Sequence, residues 1–304
     1  MRLVVGLGGN ALLRPGEAPD AEVQRRNLRV AAGVLAALAE DNELVVTHGN
    51  GPQVGLLALQ AQSYAGVPPY PLDVLGAETE GMLGYLIERE LRNRLPDRAI
   101  AGLLTQVAVD PRDPAFGHPV KPIGAVYERA EAERLTAERG WTFVPRAGGH
   151  QRVVASPEPR AILELDTVRL LVEAGAVVIC AGGGGVPVVI TEAEGWIGVE
   201  AVVDKDLSTA LLARGLEADM LLLLTDVDAV YEGWGSPGAR ALDTLAPADV
   251  DALVLEAGTM GPKVEAACRF AAAAGRPAAI GSLEEAPQVL AGSRGTRVIA
   301  AVSR

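Results

Sequence analysis

The sequence predicts an α/β fold in which a mainly parallel sheet is covered by helices on both faces. Three observations carry this reading. Short β-rich segments are apolar throughout, amphipathic helical patterns lie between them, and 304 residues with 49% hydrophobic content can bury a large core. Aromatic residues make up only 4%, so Ala, Val and Leu must build that core. The length suits one large α/β domain or two closely joined lobes.

The first strand is read at residues 2–7 (RLVVGL). Glycines and an asparagine interrupt the apolar start and no small-residue cleavage site follows, so a buried strand is preferred to a secretory signal. Further strands are read at 43–47 (ELVVT), 99–109 (AIAGLLTQVAV), 176–181 (AVVICA), 219–224 (DMLLLL) and 277–280 (PAAI). Helical spacing places Val23, Leu28, Ala31, Leu35 and Leu38 near one face of residues 21–40. A second helix is read over 76–95, ending in LIERELRNRL. Residues 110–159 break the rhythm, being rich in Pro, Gly and charge, with one short helix near 128–139 and little to bury. Such an insertion reads as a lid or protruding subdomain, or else as a surface excursion.

Composition narrows the function. The 39 acids against 27 bases give a formal charge of −12 and no basic stripe, which argues against general nucleic-acid binding. No apolar run approaches the roughly 20 residues needed to cross a bilayer. Cys180 and Cys268 are too few for a disulfide framework and fit a reducing cytoplasm.

Lysine occurs only three times, at Lys121, Lys205 and Lys263, whereas arginine occurs 24 times and supplies the generic surface cations. The surviving lysines are candidates for places that need a compact point charge, as a transferring phosphate does. Lys205 lies in VDKDLS at the start of a helical pattern, and Lys263 lies in GTMGPK before another. At a helix start, N–H groups, the dipole and an ammonium group can converge on an anion, although a plain capped helix has the same look. The aspartates flanking Lys205 could hold the lysine or a hydrated Mg²⁺.

Glycine-rich loops end three of the strands: Gly8-Gly9-Asn10, Gly49-Asn50-Gly51 and Gly182 to Gly185. Ligands of open parallel sheets sit beyond the carboxyl ends of the strands, and glycine there lets N–H groups approach an anion, or merely makes a tight turn. None of these loops is a dinucleotide or Walker fingerprint: the opening GLGGNA lacks the GxGxxG spacing because position 11 is alanine, and GxxxxGK[ST], HRD and DFG are absent from the chain. His48 could orient its loop or be a satisfied structural histidine, and His118 and His150 have no metal-ligand spacing.

The series GLGGNAL, THGNGPQVGLL, PLDVLGAETEGMLGY, LLTQVAVDPRDPAF, KPIG, CAGGGG, VDKDLS, TDVDAVY and MGPKVEAA, in order along nearly the whole chain, resembles the carbamate kinases of the amino acid kinase family. The resemblance implies a three-layer αβα sandwich with an open, mainly parallel sheet of about eight strands and a small protruding lid subdomain. It implies an N-terminal lobe, residues 1–200 with the lid insertion at 110–159, for carbamate or carbamoyl phosphate. It assigns residues 201–304 to a nucleotide-binding lobe. The implied reaction converts ATP and carbamate to ADP and carbamoyl phosphate and back, with Mg²⁺, in a cytoplasmic homodimer, often making ATP at the end of arginine fermentation.

Matched position by position, the resemblance makes Lys205 and Lys263 the lysines on the transferring phosphoryl group and Lys121 the lid lysine that reaches the same site. It makes Gly8, Gly9, Asn10, Gly49, Asn50 and Gly51 the cradle for the phosphoryl group and carbamate. Asp206, Asp226, Tyr231, Met260 and Gly261 fall on the nucleotide side, and no metal ligand is assigned. Two positions depart from the family pattern, Val120 before the KPIG lysine and Gln151 in place of one of two arginines, which leaves Arg152 as the remaining lid cation on the substrate. Two other readings share these loops: a sister kinase for another small carboxylate, and an inactive nucleotide-binding regulator.

Overall fold

Strand β1 (Arg2–Leu7) shows how the layers are made: Leu3, Val5 and Leu7 join one apolar cluster while Val4 joins the other. The side-chain period of two sends successive residues to opposite faces, so a strand apolar at every position must be covered twice. The computed structural model describes residues 1–14, 16–18, 20–64, 66–252 and 260–300, and of these Asn10, Ala11, Asp251 and Ala252 in backbone only.

In chain order the remaining strands are β2 (Glu43–His48), β3 (Ile100–Gly102), β4 (Gln106–Val109), β5 (Lys121–Tyr127), β6 (Thr142–Arg146), β7 (Gly149–Val154), β8 (Pro159–Ile162) and β9 (Val177–Ile179). They continue with β10 (Val186–Thr191), β11 (Gly195–Gly198), β12 (Met220–Thr225), β13 (Val230–Glu232), β14 (Arg240–Leu242), β15 (Thr244–Leu245), β16 (Ala278–Ser282) and β17 (Thr296–Val298). The helices are α1 (Gly9–Leu12), α2 (Ala21–Glu40), α3 (Gly51–Ser63), α4 (Leu72–Arg92), α5 (Arg129–Arg139), α6 (Leu165–Glu173), α7 (Lys205–Gly215), α8 (Met260–Ala274) and α9 (Ala286–Ala291).

The main sheet has eight strands in the order β15-β17-β16-β12-β1-β2-β9-β3, parallel except for the β16–β17 pair. Buried side chains of α2, α4 and α9 pack on one face, those of α6, α7 and α8 on the other. The expected three-layer α/β architecture is therefore present. Helix α2 starts at Ala21 because the Asp20 carboxylate accepts the N–H groups of Glu22 and Val23, both at 2.9 Å.

The single apolar segment read at 99–109 is two strands in two sheets. β3 closes the edge of the main sheet, whereas β4 pairs with β10 and β8 in a four-stranded sheet. Thr105, fully buried between them, turns the chain: its hydroxyl accepts from Ala181 N–H at 2.9 Å and its carbonyl from Val186 N–H at 2.8 Å. The apolar residues on both sides of Thr105 and Gln106 hid that crossing.

The insertion contains more structure than its composition suggested. β5, β7 and β6 form an antiparallel three-stranded sheet, and the expected short helix is α5. Ile123 and Val154 from this sheet are buried with Val54 and Ala58 of α3 and Leu72 and Leu75 of α4. A Cβ on Gly55 would lie 3.0 Å from the Gly124 backbone, so α3 and β5 approach most closely where both carry glycine.

Candidate functional site

The first turn of α7 gathers all three lysines of the chain. Asp204 caps the helix, its Oδ1 accepting from Asp206 N–H at 2.9 Å and Leu207 N–H at 3.3 Å, while its Oδ2 accepts from Lys121 Nζ at 2.7 Å. Asp206 accepts from Lys205 Nζ at 2.5 Å through one oxygen and from Lys263 Nζ at 3.2 Å through the other. Lys121 comes from the start of β5 in the insertion, Lys205 from the first residue of α7, and Lys263 from the first turn of α8. Three ammonium groups against two carboxylates leave these five groups with one surplus positive charge.

Burial sharpens that surplus. Lys263 and Asp206 are each only 5% exposed. Burial pushes the Lys205 ammonium below its ordinary range, although the charge of Asp206 opposes it. Burial alone would raise Asp206, but the neighbouring Lys205 and Lys263 hold its carboxyl below the ordinary range. A low-dielectric cluster with excess positive charge, set where α7 presents its N-terminus, is suited to an anion.

The glycine loops form a continuous floor beside this turn. A Cβ on Gly49 would approach Gly9 N to 3.0 Å, so the loops after β1 and β2 lie against each other. The same test on Gly183 meets the Asn50 side chain at 2.2 Å, and on Gly184 it meets the Val203 carbonyl at 2.4 Å and Lys205 N at 3.3 Å. Gly183, Gly184 and Gly185 have φ of +67°, +101° and +84°, and Ala181 before them is itself left-handed at +49°. Only residues without a Cβ can make this approach. Ser208 Oγ ties the loop to α7 by donating to the Gly184 carbonyl at 2.7 Å, and Thr47 on β2 meets Thr209 on α7 at 2.6 Å.

Gly8 ends β1 with its N–H on the Leu224 carbonyl at 2.8 Å, and Gly49 N–H donates to the Leu7 carbonyl at 3.1 Å. Gly51 opens α3. Asn50 Nδ2 donates to Thr79 Oγ1 at 2.7 Å. The side chain of Asn10 lies outside the described residues, as do Gly258 and Thr259 of the GTMGPK stretch. Met260 and Gly261 are the first two residues of α8, the helix that carries Lys263. Asp226 follows β12 and accepts from Thr225 Oγ1 at 3.0 Å, while Tyr231 lies on β13, donates to Asp228 at 3.1 Å, and meets Trp234 edge-on at 5.0 Å.

Arg152, expected to be the lid cation on the substrate, has partners within the protein. It is 6% exposed, its guanidinium sits 3.7 Å over the Trp141 ring, and Nη2 donates to Glu200 Oε1 at 2.5 Å. Glu200 also accepts the Leu72 N–H at 2.8 Å, at the start of α4. These partners make Arg152 a bolt between the insertion and the body, and Gln151 stays within the insertion by donating to the Gly124 carbonyl at 2.9 Å. Arg152→Ala should lower stability by about 2 kcal/mol, through lost stacking and an uncompensated Glu200, read as a lower urea midpoint.

His48 is fully buried, and burial lowers it to about 4, so it is neutral at pH 7. His118 is exposed and His150 lies on β7. Sequence reading passed over Thr79, Glu80, Ser208 and Thr209. One signal was available: Glu80 falls on the buried stripe of α4 with Leu83, Ile87 and Leu91, where a carboxylate is out of place.

The family model for the amino acid kinase family matches residues 1–282. The chain is 52% identical to a carbamate kinase of Rhizobium meliloti (strain 1021) over 306 residues, spanning 100% of this chain and 94% of that protein. It is 51% identical to a carbamate kinase of Haemophilus influenzae over 299 residues, spanning 98% and 96%. Among solved structures, a carbamate kinase from Giardia lamblia bound to AMP-PNP superposes with a TM-score of 0.92 at 39% identity, covering 98% of each chain.

Proposed function

Because this chain belongs to the amino acid kinase family and, within it, to the carbamate kinases, we propose that its lysine cluster transfers a phosphoryl group between carbamoyl phosphate and ADP, reversibly. The observation that carries the site assignment is the convergence of Lys121, Lys205 and Lys263 on two aspartates at one helix start. A phosphoryl group in flight spreads negative charge over its equatorial oxygens, and catalysis consists largely of positioning and neutralising it. Lys205 and Lys263 would turn from Asp206 toward those oxygens, and Lys121 would arrive from the insertion on leaving Asp204.

The phosphorus–oxygen bond to carbamate breaks as the bond to the ADP β-phosphate oxygen forms. Carbamate leaves as an anion and needs no proton, and in reverse its oxygen attacks without a general base. A neutral, buried His48 is in keeping with that chemistry. The glycine floor and Asn50 would hold carbamate and the phosphoryl group, and residues from Asp226 to Lys263 would hold the nucleotide. That division assigns residues 1–200, with the insertion as a lid, to the acceptor and residues 201–304 to the nucleotide.

Among the described residues no group of three or more His, Cys, Asp or Glu side chains forms a metal cage, and Asp204 and Asp206 are engaged by lysine. Mg²⁺ would enter with the nucleotide, held mainly by phosphate oxygens and water, and would supply charge neutralisation there. No helix among the described residues is long and apolar enough to cross a membrane. A cytoplasmic homodimer that makes ATP in arginine breakdown completes the proposal.

The test is luminometric ATP formation from MgADP and carbamoyl phosphate, with acetyl phosphate in parallel. Turnover should be at least about 100-fold faster with carbamoyl phosphate, a difference a few polar contacts can provide. Equal rates would favour a broader acyl-phosphate kinase, and no turnover despite MgADP binding would favour a regulator. Lys121→Ala should raise KM for carbamoyl phosphate about tenfold and lower kcat less, because its 38%-exposed side chain reaches the site from the insertion.

A further inference from the structure

Glu80 is buried beside the glycine loop, 3% exposed, and its Oε1 accepts the Gly182 N–H at 2.8 Å. A Cβ on Gly182 would lie 2.5 Å from His48 Nε2 and 2.9 Å from Glu80 Cγ, so the loop rests directly on these two side chains. Glu80 Oε2 and His48 Nε2 are both buried without a hydrogen-bond partner among the described residues. Thr79, one residue earlier on α4, holds the Asn50 amide against which Gly183 is packed. On its far side the same loop is fastened to α7 through Ser208. The loop thus spans from the proposed carbamate cradle to the lysine-bearing turn, and α4 supports it at adjacent residues.

The groups facing Glu80 favour its neutral form. His48 on β2 is uncharged, Cys180 follows β9, Tyr85 and Glu88 of α4 line the same cavity, and Glu164 at the start of α6 adds a like charge. Burial pushes the carboxyl up to about 8, although the Thr105 and Gly182 N–H groups pull it down.

We propose that Glu80 is a positioning residue for phosphoryl transfer, which by accepting the Gly182 N–H seats the glycine loop between Asn50 and the first turn of α7. The inference rests on the carbamate kinase reading above. When Glu80 ionises, a buried carboxylate near Glu164 must draw in water or move away, and the loop loses its seat. Glutamine keeps an acceptor for Gly182 N–H and cannot titrate.

The experiment compares wild type, Glu80→Gln and Glu80→Ala by ATP formation from carbamoyl phosphate and MgADP between pH 6 and 9.5, with MgADP affinity and Gly182 amide exchange measured by NMR. At pH 7, Glu80→Gln should keep kcat within about threefold, and Glu80→Ala should lose about tenfold or more with MgADP affinity unchanged. Wild-type kcat should fall on crossing pH 8, and that step should be absent in Glu80→Gln. Gly182 exchange should rise about tenfold or more in Glu80→Ala at pH 7 and in wild type relative to Glu80→Gln above pH 8. A wild-type kcat in Glu80→Ala, a step near pH 8 that Glu80→Gln retains unchanged, or Gly182 exchange indifferent to residue 80 would each overturn the proposal. Exchange needs no turnover, so a protein silent with carbamoyl phosphate but showing the expected exchange pattern would overturn the functional reading and leave the loop seat standing.

Discussion

Lys205→Ala should lower kcat for ATP formation about 1,000-fold, close to 4 kcal/mol of transition-state stabilisation, and Lys263→Ala should do nearly the same. Both ammonium groups are buried and share one carboxylate, so neither is a generic surface cation. MgADP affinity, measured by calorimetry, should change far less than kcat, because the equatorial oxygens carry their extra need for charge only during transfer. Lys205→Arg should not restore activity, since a planar fork cannot replace a point charge in a buried cluster. The depressed Lys205 titration also sets an alkaline limit on kcat below the ordinary lysine range, because the ammonium form is the active one. That limit should persist in Glu80→Gln.

Asp206→Ala should cost about 3–5 kcal/mol of folding stability, the range for removing one partner of a buried charge pair. Here two lysines lose the same counter-ion, and each has a side chain at most 10% exposed. Urea unfolding at pH 7 reads the loss as a lower midpoint with an unchanged slope. Asp206→Asn, which keeps the shape and part of the hydrogen bonding, should lose less. The sign with pH is fixed: a depressed carboxyl contributes stability that is present above its unfolded pKa of about 4 and lost as pH falls toward the folded value. Wild type should therefore lose this contribution below about pH 4, and Asp206→Asn should lack that part of the acid limb. Activity of either variant should be at least about 100-fold down, because lysines left without their shared anchor are no longer pre-aimed.

The parts legible in the sequence are those where local and tertiary demands agree. Residues 21–40 have an apolar stripe and an Asp20 cap, and the helix occupies Ala21–Glu40. β1 coincides with the segment read at 2–7, where every residue is either buried or nearly so. The run at 99–109 misled because it is apolar on both sides of Thr105 and Gln106, while the change of sheet depends on the Thr105 side chain meeting Ala181, 76 residues away. The strands of the insertion were hidden because KPIGAVY and GHQRVV mix proline, glycine and charge, and gain their order by pairing with each other and packing on α3 and α4.

The site divides in the same way. Rarity exposed Lys121, Lys205 and Lys263, and glycine marked the loops, since both are properties of residue choice at single positions. The family resemblance marked Arg152 as a substrate contact, but its part in fastening the insertion was not legible. Its Trp141 and Glu200 partners lie 11 and 48 residues away, one between α5 and β6 and the other after β11, and only the fold brings them together. Glu80 carried a weak sign in helical phase, but only the approach of Gly182 shows what it supports.

Direct transfer from carbamoyl phosphate to ADP is followed most directly by ³¹P NMR of one sample holding protein, MgADP and carbamoyl phosphate. The γ-phosphate resonance of ATP should grow by the amount of carbamoyl phosphate lost, with inorganic phosphate rising no faster than in a protein-free control. An unchanged γ-phosphate region while ADP is bound, or carbamoyl phosphate converted to inorganic phosphate instead, would contradict the account.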